Sequence, residues 1–523
     1  MNDASRANRG DVAHRVTSLG ILAALAILGA GLALFLHRLD AAEICGANEA
    51  VEALAVQRMV ERGQLLFPVE TGGQPMYKPP LFHWTATAID QLLGQTTVTA
   101  FNLRLASAAY GLAGVALTMA FAATILRPSS ALLSGLFLLA SYQYVSQARF
   151  GRVDMTLTFF ETLALFLFLL WVPDRRDALS AGEPDTAGRR EAARWLLAVA
   201  LGCAVLAKGP VGALLPLLAI GVWSVVARRT DVLPRLVTPG TTALTLGIAA
   251  SWYGACLVGR HYGVLGLQIG AENFGRFFGA LGRMPSWYYA NPLLLNSVPL
   301  SLLVPFAVFA GLRARSPAMA PGDRQPGAGS RANRAVLLLA IFWTLSAIFF
   351  SIAAYKRKAY LLPLWPAAAV LLAWWSEVSL KVRFGRSARR ALAATCVAMI
   401  IFNFFFMPWK EKQGCEGSAY GAIAAAVNHA AATGSPLFLY EINDGAAPLS
   451  FYLDRKLSVL NGPLTAAPAG FILTTPAAWR DYAARHSTGA GGSVAPDGIA
   501  RSGLSQVLTI SGPPALVLLR SQR

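Results

Sequence analysis

Between the first two apolar runs of this 523-residue chain stand Asn48-Glu49 and, further on, Tyr77-Lys78-Pro79-Pro80-Leu81. Similar chemistry recurs at the edges of later apolar runs. It includes Arg152-Val153-Asp154, Ala207-Lys208-Gly209-Pro210, Glu272 with Arg276, then Arg283, and Lys356-Arg357-Lys358 with Tyr360. Glu49 and Asp154 are carboxylates that could take a proton from an acceptor hydroxyl. Asn48 is an amide and cannot act as a base. The cations suit an anion held at a membrane interface, and a lipid phosphate or diphosphate is the commonest such anion. Each group also has a structural reading. Arg152 and Asp154 are two residues apart and could form an ion pair. Lys356, Arg357 and Lys358 could be interfacial cations whose stems lie on apolar surface. Arg149 and Arg276 read as structural or surface residues, and His83 and His261 are lone histidines with no matched partner.

The elements that must position these groups are membrane spans. The chain is 55% hydrophobic and 14% charged, with a mean hydropathy of +0.49. A soluble chain carries roughly 25% charged residues. Eleven apolar runs are near 17–36, 106–126, 130–147, 156–173, 194–207, 210–227, 237–258, 293–312, 335–353, 360–377 and 391–408, each approaching the roughly 20 residues a span needs. The first run has no small-residue cleavage pattern after it and reads as a signal anchor.

The net charge of +18 would suit nucleic acid, but the arginines gather in alternate loops. Examples are Arg189, Arg190 and Arg194; Arg228, Arg229 and Arg235; and Lys381, Arg383, Arg386, Arg389 and Arg390. That is the positive-inside pattern. It predicts a multi-pass membrane protein with a cytoplasmic N-terminus. It puts residues 37–105 and the C-terminal segment outside, and no nucleic acid is called for. Cations at the outer edges oppose this sorting, which is why they ask for a ligand.

Residues 1–16 read as a cytoplasmic tail, 17–409 as the transmembrane domain and 410–523 as a small periplasmic α/β domain. Leu437-Phe438-Leu439-Tyr440 and Phe471-Ile472-Leu473 read as strands. Gln506 to Ile510 and Ala515 to Leu519 fit a hairpin turning at Ser511-Gly512-Pro513-Pro514. Helices are expected near 418–432 and 476–484. Amphipathic helices in the first outer loop carry Ala53, Val56 and Met59, then Leu81, Trp84 and Ala88. Cys203, Cys256 and Cys396 fall in apolar runs. Cys45 and Cys415 fall in polar outer segments, either paired in an oxidising compartment or as two free thiols. There is no metal-ligand spacing such as C-x-x-C. No cofactor is required by these residues, and a divalent metal is the one addition left open.

Taken in order, Asn48-Glu49, Met59, Gly63, Pro68, Tyr77-Lys78-Pro79-Pro80-Leu81, Trp84 and Arg104-Leu105 resemble the first periplasmic loop of C-type (GT-C) glycosyltransferases. The branch is that of the bacterial relatives of protein O-mannosyltransferases, which include the lipid A aminoarabinose transferases. Arg152-Val153-Asp154 resembles that family's second acidic loop, and Ala207-Lys208-Gly209 its T/A-K-G segment. Arg283-Met284-Pro285-Ser286-Trp287-Tyr288-Tyr289 resembles its large later loop, and Lys356 to Pro363 its K-x-x-x-Y-L-L-P segment. The resemblance implies a polytopic α-helical enzyme. It would move a sugar from a polyprenyl-phosphate carrier, such as undecaprenyl phosphate, to a lipid or glycan acceptor of the cell envelope. It implies that Lys78 and Arg283 bind the carrier phosphate and that Lys208 and Tyr360 line the sugar cavity. Two departures stand out. The usual Asp-Glu pair is Asn48-Glu49, and the acid preceding the loop lysine in the aminoarabinose branch is Tyr77.

The resulting expectation is a hexosyl- or pentosyltransferase of the bacterial cytoplasmic (inner) membrane, acting as a monomer among membrane lipids. Its catalytic candidates are Glu49, Asp154 and Asn48, and its lipid-phosphate or substrate candidates are Lys78, Arg283, Lys208, Lys356, Tyr360 and Arg152. Competing readings are a protein O-glycosyltransferase, a silent assembly subunit, and a flippase for a lipid-linked substrate. A transporter would want inverted repeats and broken helices at mid-membrane; neither pattern is visible.

Overall fold

The computed structural model describes residues 3–68, 76–172, 184–280, 282–314, 328–416, 419–431, 434–442, 446–453, 457–460, 462–486, 504–510 and 514–522. Two compact units result. The first comprises Met1–His37, Tyr77–Phe82 and Arg104–Met407, the second Arg38–Met76, His83–Leu103 and Pro408–Arg523.

The first unit is helical, and the apolar runs fall mainly on helix, with breaks at Ser141, at residues 296–299 and at residues 362–363. Among the described residues, five stretches are long and apolar enough to cross a bilayer: Ala100–Ile125, Val153–Trp171, Pro239–Val258, Arg331–Ile352 and one within Leu364–Ala430. The pair Ser286–Leu295 and Leu300–Leu312 is bent by 110° and makes a sixth if it is one span. Gly20–Leu36, Pro128–Ala140 and Val211–Val226 are shorter apolar helices. Large apolar side chains remain exposed along these helices, among them Leu22, Leu25, Val225, Leu246, Phe402 and Phe405. Helices apolar on their outer faces as well as their inner ones belong in lipid, where the helix satisfies its own backbone. The chain is a mostly helical, polytopic membrane protein.

Arg149 shows how a charge is made compatible with this interior. It is 1% exposed. Its guanidinium donates to the carbonyls of Leu34, Phe35 and His37 at 3.0, 3.1 and 2.9 Å. The helix Asp3–Leu36 ends there, and a helix C-terminus leaves carbonyls without donors. A cation at that end satisfies them and complements the helix dipole.

The second unit is built on a five-stranded sheet. Its strands are Leu437–Tyr440 (β1), Leu457–Val459 (β2), Gly470–Thr474 (β3), Leu504–Ile510 (β4) and Leu516–Ser521 (β5). Their order is β2-β1-β3-β5-β4. β1 pairs in parallel with β2 and β3, and β5 runs antiparallel to β3 and β4. Side chains alternate between two faces. Leu437, Leu439, Phe471, Leu473, Leu516 and Leu518 pack with Ile423, Val427 and Leu449 of the helices Tyr420–Ala430 and Ala446–Leu453. Ile472, Val517 and Leu519 pack on the other face with Trp479 and Tyr482 of Pro476–His486. Cover on both faces explains why β1 reads as an unbroken apolar run. The β4–β5 pairing matches the expected hairpin; residues 511–513 of its turn lie outside the described residues. The helix Ala446–Leu453 and strand β2 were not anticipated, because each is short and is flanked by segments with no clear period.

This unit also takes in the first-loop helix Ala47–Arg62, which packs on Ala446–Leu453. Ile44 N–H donates to Tyr452 Oη at 3.0 Å. Cys45 and Cys415 form a disulfide across 370 residues of chain. The pairing alternative is therefore the one adopted.

Asp90, on Leu81–Leu92, is fully buried in the second unit, and burial pushes its carboxyl up to about 6, opposed by the side chain of Asn102. An unfolded aspartate has an ordinary value of 3.8, so the unfolded state loses its proton first. The native state is thus fully favoured by this group below pH 4, and that advantage disappears as pH rises through about 6. Asp90→Asn should raise stability at pH 7.5 by about 2–3 kcal/mol, with little change at pH 4.5. Thermal unfolding of the detergent-purified protein across this range checks it; a gain independent of pH would contradict the assignment.

Candidate active site

The helix Val153–Trp171 starts directly after Gly151-Arg152, and Arg152 is extended. Asp154 therefore lies in the first helical turn, where the helix dipole favours an anion. It is 1% exposed. The helix Pro184–Lys208 ends on its lysine, a cation at the end that favours one. Gly209 follows with φ +101, and a Cβ there would meet Gln268 Nε2 at 2.6 Å. Only glycine suits that position. The turn aims Lys208 at Asp154, and its ammonium bonds Oδ1. Arg152 Nε stands 3.3 Å from Oδ2.

The same ammonium lies over the Tyr360 ring, 4.5 Å from its centroid, a cation–π arrangement. Tyr360 Oη accepts from Arg276 Nη1 at 2.7 Å. Arg276 Nη2 pairs with Glu272 Oε1 at 2.5 Å. An unbroken chain of contacts thus runs Arg152–Asp154–Lys208–Tyr360–Arg276–Glu272 within the first unit. The field of Lys78 also reaches Asp154.

Backbone stitching holds Tyr360 in place. The segment 353–358 bonds through Ala354 N–H to Phe277 O at 2.9 Å and through Tyr355 N–H to Arg276 O at 3.0 Å. Met284 N–H donates to Ala354 O at 2.9 Å, and Gln143 Nε2 to Lys358 O at 2.6 Å. Lys356 is 2% exposed. Its ammonium donates to Ala353 O at 2.6 Å and Met284 O at 3.3 Å, and burial pushes its pKa below the usual lysine value. Both bonds fasten the ammonium to the loop around it. Arg283 is exposed, and its Cγ and Nε lie 3.2 Å from where a Cβ on Gly279 would sit. It shares a loop with Arg276 but is not part of the chain of contacts.

Glu161 was missed from the sequence. It follows Asp154 by seven residues, on the same helix face, and is fully buried. Among the described residues neither of its carboxyl oxygens has a hydrogen-bond partner, and the field of Lys208 reaches it. An acid inside Thr158-Phe159-Phe160-Glu161 was the available signal, since intramembrane acids are costly and call for a named partner.

In the second unit, Glu49 occupies the first turn of Ala47–Arg62 and is 1% exposed; Asn48 precedes it. One turn on, Glu52 bonds His83 Nε2 at 2.7 Å, with both side chains fully buried. His83 thus has a partner that a separation of 31 residues concealed. Among the described residues, no three His, Cys, Asp or Glu side chains gather as a metal-ligand set.

The fold has counterparts among solved structures. ArnT from Cupriavidus metallidurans, solved with undecaprenyl phosphate, superposes with a TM-score of 0.73 at 18% identity, covering 96% of this chain and 97% of that one. The chain has the GT-C fold. The archaeal oligosaccharyltransferase AglB from Archaeoglobus fulgidus shares it more distantly, with a TM-score of 0.54 at 13% identity over 88% of this chain and 69% of that one. Residues 69–257 match the family model of dolichyl-phosphate-mannose-protein mannosyltransferases. That stretch of the GT-C chain contains Lys78, Arg152, Asp154 and Lys208. In sequence the chain is similar to the undecaprenyl phosphate-alpha-4-amino-4-deoxy-L-arabinose arabinosyl transferase of Aeromonas salmonicida, 26% identical over 351 residues, which are 65% of this chain and 58% of that protein. The chain spans about three-fifths of the length of the curated relatives it matches.

Proposed function

We propose that this GT-C protein moves a sugar from a polyprenyl-phosphate carrier to a phosphate-bearing glycolipid, such as lipid A, on the outer side of the cytoplasmic membrane. The observation that carries the reading is the cationic chain around Asp154 and Tyr360 at the edge of the spans. The kinship with arabinosyl transferases and with ArnT supports the carrier class. Eleven spans, an N-terminus in the cytoplasm, the second unit outside and a monomeric state complete the proposal.

Transfer breaks the bond between the anomeric carbon and the phosphate oxygen. Positive charge develops on the carbon and negative charge on the leaving phosphate. Cations already oriented at that phosphate are the largest help available. Lys78 and the exposed Arg283 take the carrier phosphate, the arginine by forked hydrogen bonds. Lys208 and Tyr360 face the sugar. Asp154 has Lys208 on one oxygen and Arg152 beside the other, so it orients both cations. Glu49 and Asp154 are the two candidates for base chemistry. A phosphate acceptor is already a nucleophile and needs no base, which agrees with an amide at position 48.

The test uses membranes carrying the protein, a radiolabelled undecaprenyl-phosphate sugar and lipid A. Label should move to lipid A, and Glu49→Gln should keep it moving within about threefold. A loss of about 100-fold or more is what removal of a required base produces. That result would replace the phosphate acceptor with a hydroxyl, as on a protein Ser or Thr. No transfer to any acceptor would overturn the enzyme reading.

A further inference from the structure

Away from the site, the first unit has a second concentration of positive charge. A cleft of about 340 Å³ is bordered by Lys381, Arg386, Arg389 and Arg390. Its other wall is apolar, with Leu132 and Leu136 from Pro128–Ala140 and Ala393 opposite. On a continuous helix Lys381 and Arg390 would point to opposite sides. The helix Lys381–Cys415 is instead broken at Gly385, with φ +78 and ψ −175. That break lets cations before and after it border one cleft, and the positive φ is one that glycine adopts without strain.

The cleft is organised as well as charged. Arg389 Nη2 donates to Ser130 Oγ at 2.7 Å and to Ser129 Oγ at 3.2 Å. The nearby acid is already occupied: Glu377 pairs with Arg127 at 2.9 Å and accepts from Ser130 Oγ at 2.6 Å. Arg386 and Arg390 remain exposed. Among the described residues, neither has an ion-pair partner.

We infer that this cleft binds the headgroup of an anionic phospholipid, its phosphate on Arg386 and Arg390 and its first acyl methylenes along Leu132 and Leu136. The amphipathic lining decides between sources of phosphate. A free phosphate would gain nothing from the leucine wall, whereas a phospholipid matches both walls. Basic pockets between spans on the arginine-rich side are where such headgroups bind. By the positive-inside pattern this is the cytoplasmic leaflet, opposite the proposed transfer site. The inference rests on the membrane reading of the chain and stands or falls separately from the transferase reading.

The full-length protein, purified in neutral detergent, is titrated with phosphatidylglycerol, phosphatidylcholine or inorganic phosphate. Bound lipid is counted by native mass spectrometry. Phosphatidylglycerol should be retained about 10- to 30-fold more tightly than phosphatidylcholine, as two interfacial cations allow. Arg386→Gln with Arg390→Gln should erase that preference. Arg383→Gln with Lys410→Gln removes the same charge outside the cleft and should leave it intact. Equal losses in both doubles would mean unspecific surface attraction, and would overturn the site. Equal retention of both lipids by the unaltered protein, or displacement of phosphatidylglycerol by millimolar phosphate, would overturn it too. Each double variant is first checked for an unchanged unfolding midpoint, and Arg386→Lys with Arg390→Lys, which should retain the preference, replaces a first double that fails to fold.

Discussion

Lys208→Met is expected to lower sugar transfer by two to three orders of magnitude while the protein still inserts and folds. Removing one preorganised group from a site where charge develops costs about 10²- to 10³-fold. Lys208 is more central than a single donor, since it joins Asp154 to Tyr360 and its field reaches Glu161. Methionine keeps an apolar stem at the end of Pro184–Lys208 and drops only the ammonium. The loss should fall on kcat, because the carrier phosphate is assigned to Lys78 and Arg283. Asp154→Asn should lose less, since it leaves the lysine present but less well aimed. Combining the two should add little beyond Lys208→Met, as expected for residues acting as a unit. Steady-state transfer with purified variants decides. A Lys208→Met enzyme working within threefold of the parent would remove this chain from the mechanism.

Arg149→Met should be the most damaging single change to stability, by about 3 kcal/mol or more. Three carbonyls lose a charged donor at once, and hydrogen bonds to charged groups contribute about 1.5–3 kcal/mol each. The carbonyls close a helix in a region with little water to replace the guanidinium. In detergent the unfolding midpoint should drop by roughly 3 °C or more. Arg149→Lys should recover part of it, since an ammonium supplies three donors without the planar fork. A midpoint within one degree for Arg149→Met would show that the carbonyls find other partners. Transfer at low temperature should be nearly normal in this variant, which separates it from Lys208→Met.

Much of this was legible before any coordinates. Apolar length marks helices because a span must satisfy its backbone internally, so the apolar runs fall mainly on helix; their breaks at Ser141 and at 296–299 were not legible. β1, β3 and the β4–β5 pair were legible because short apolar runs bounded by Gly and Pro leave few alternatives. Among the site residues, Asp154 and Lys208 stood out as charges at the edges of apolar runs. Their direct bond did not, because 54 residues separate them. The Glu52–His83 pair was hidden for the same reason. The burial of Lys356 was not legible either, and only the fold shows its ammonium bonded to two carbonyls.

The amino-acid order by itself determined that this chain spans a membrane, which loops are arginine-rich, and which charges sit where lipid disfavours them. Those are properties of composition and period, and they hold for any packing of the helices. Tertiary structure alone decided which charges meet. It joined Lys208 to Asp154 and Tyr360, gave Arg149 to a helix end, and closed Cys45 on Cys415. A hydrogen bond or ion pair depends on a few ångströms of separation. Residues far apart along the chain have no set distance until packing brings their elements together.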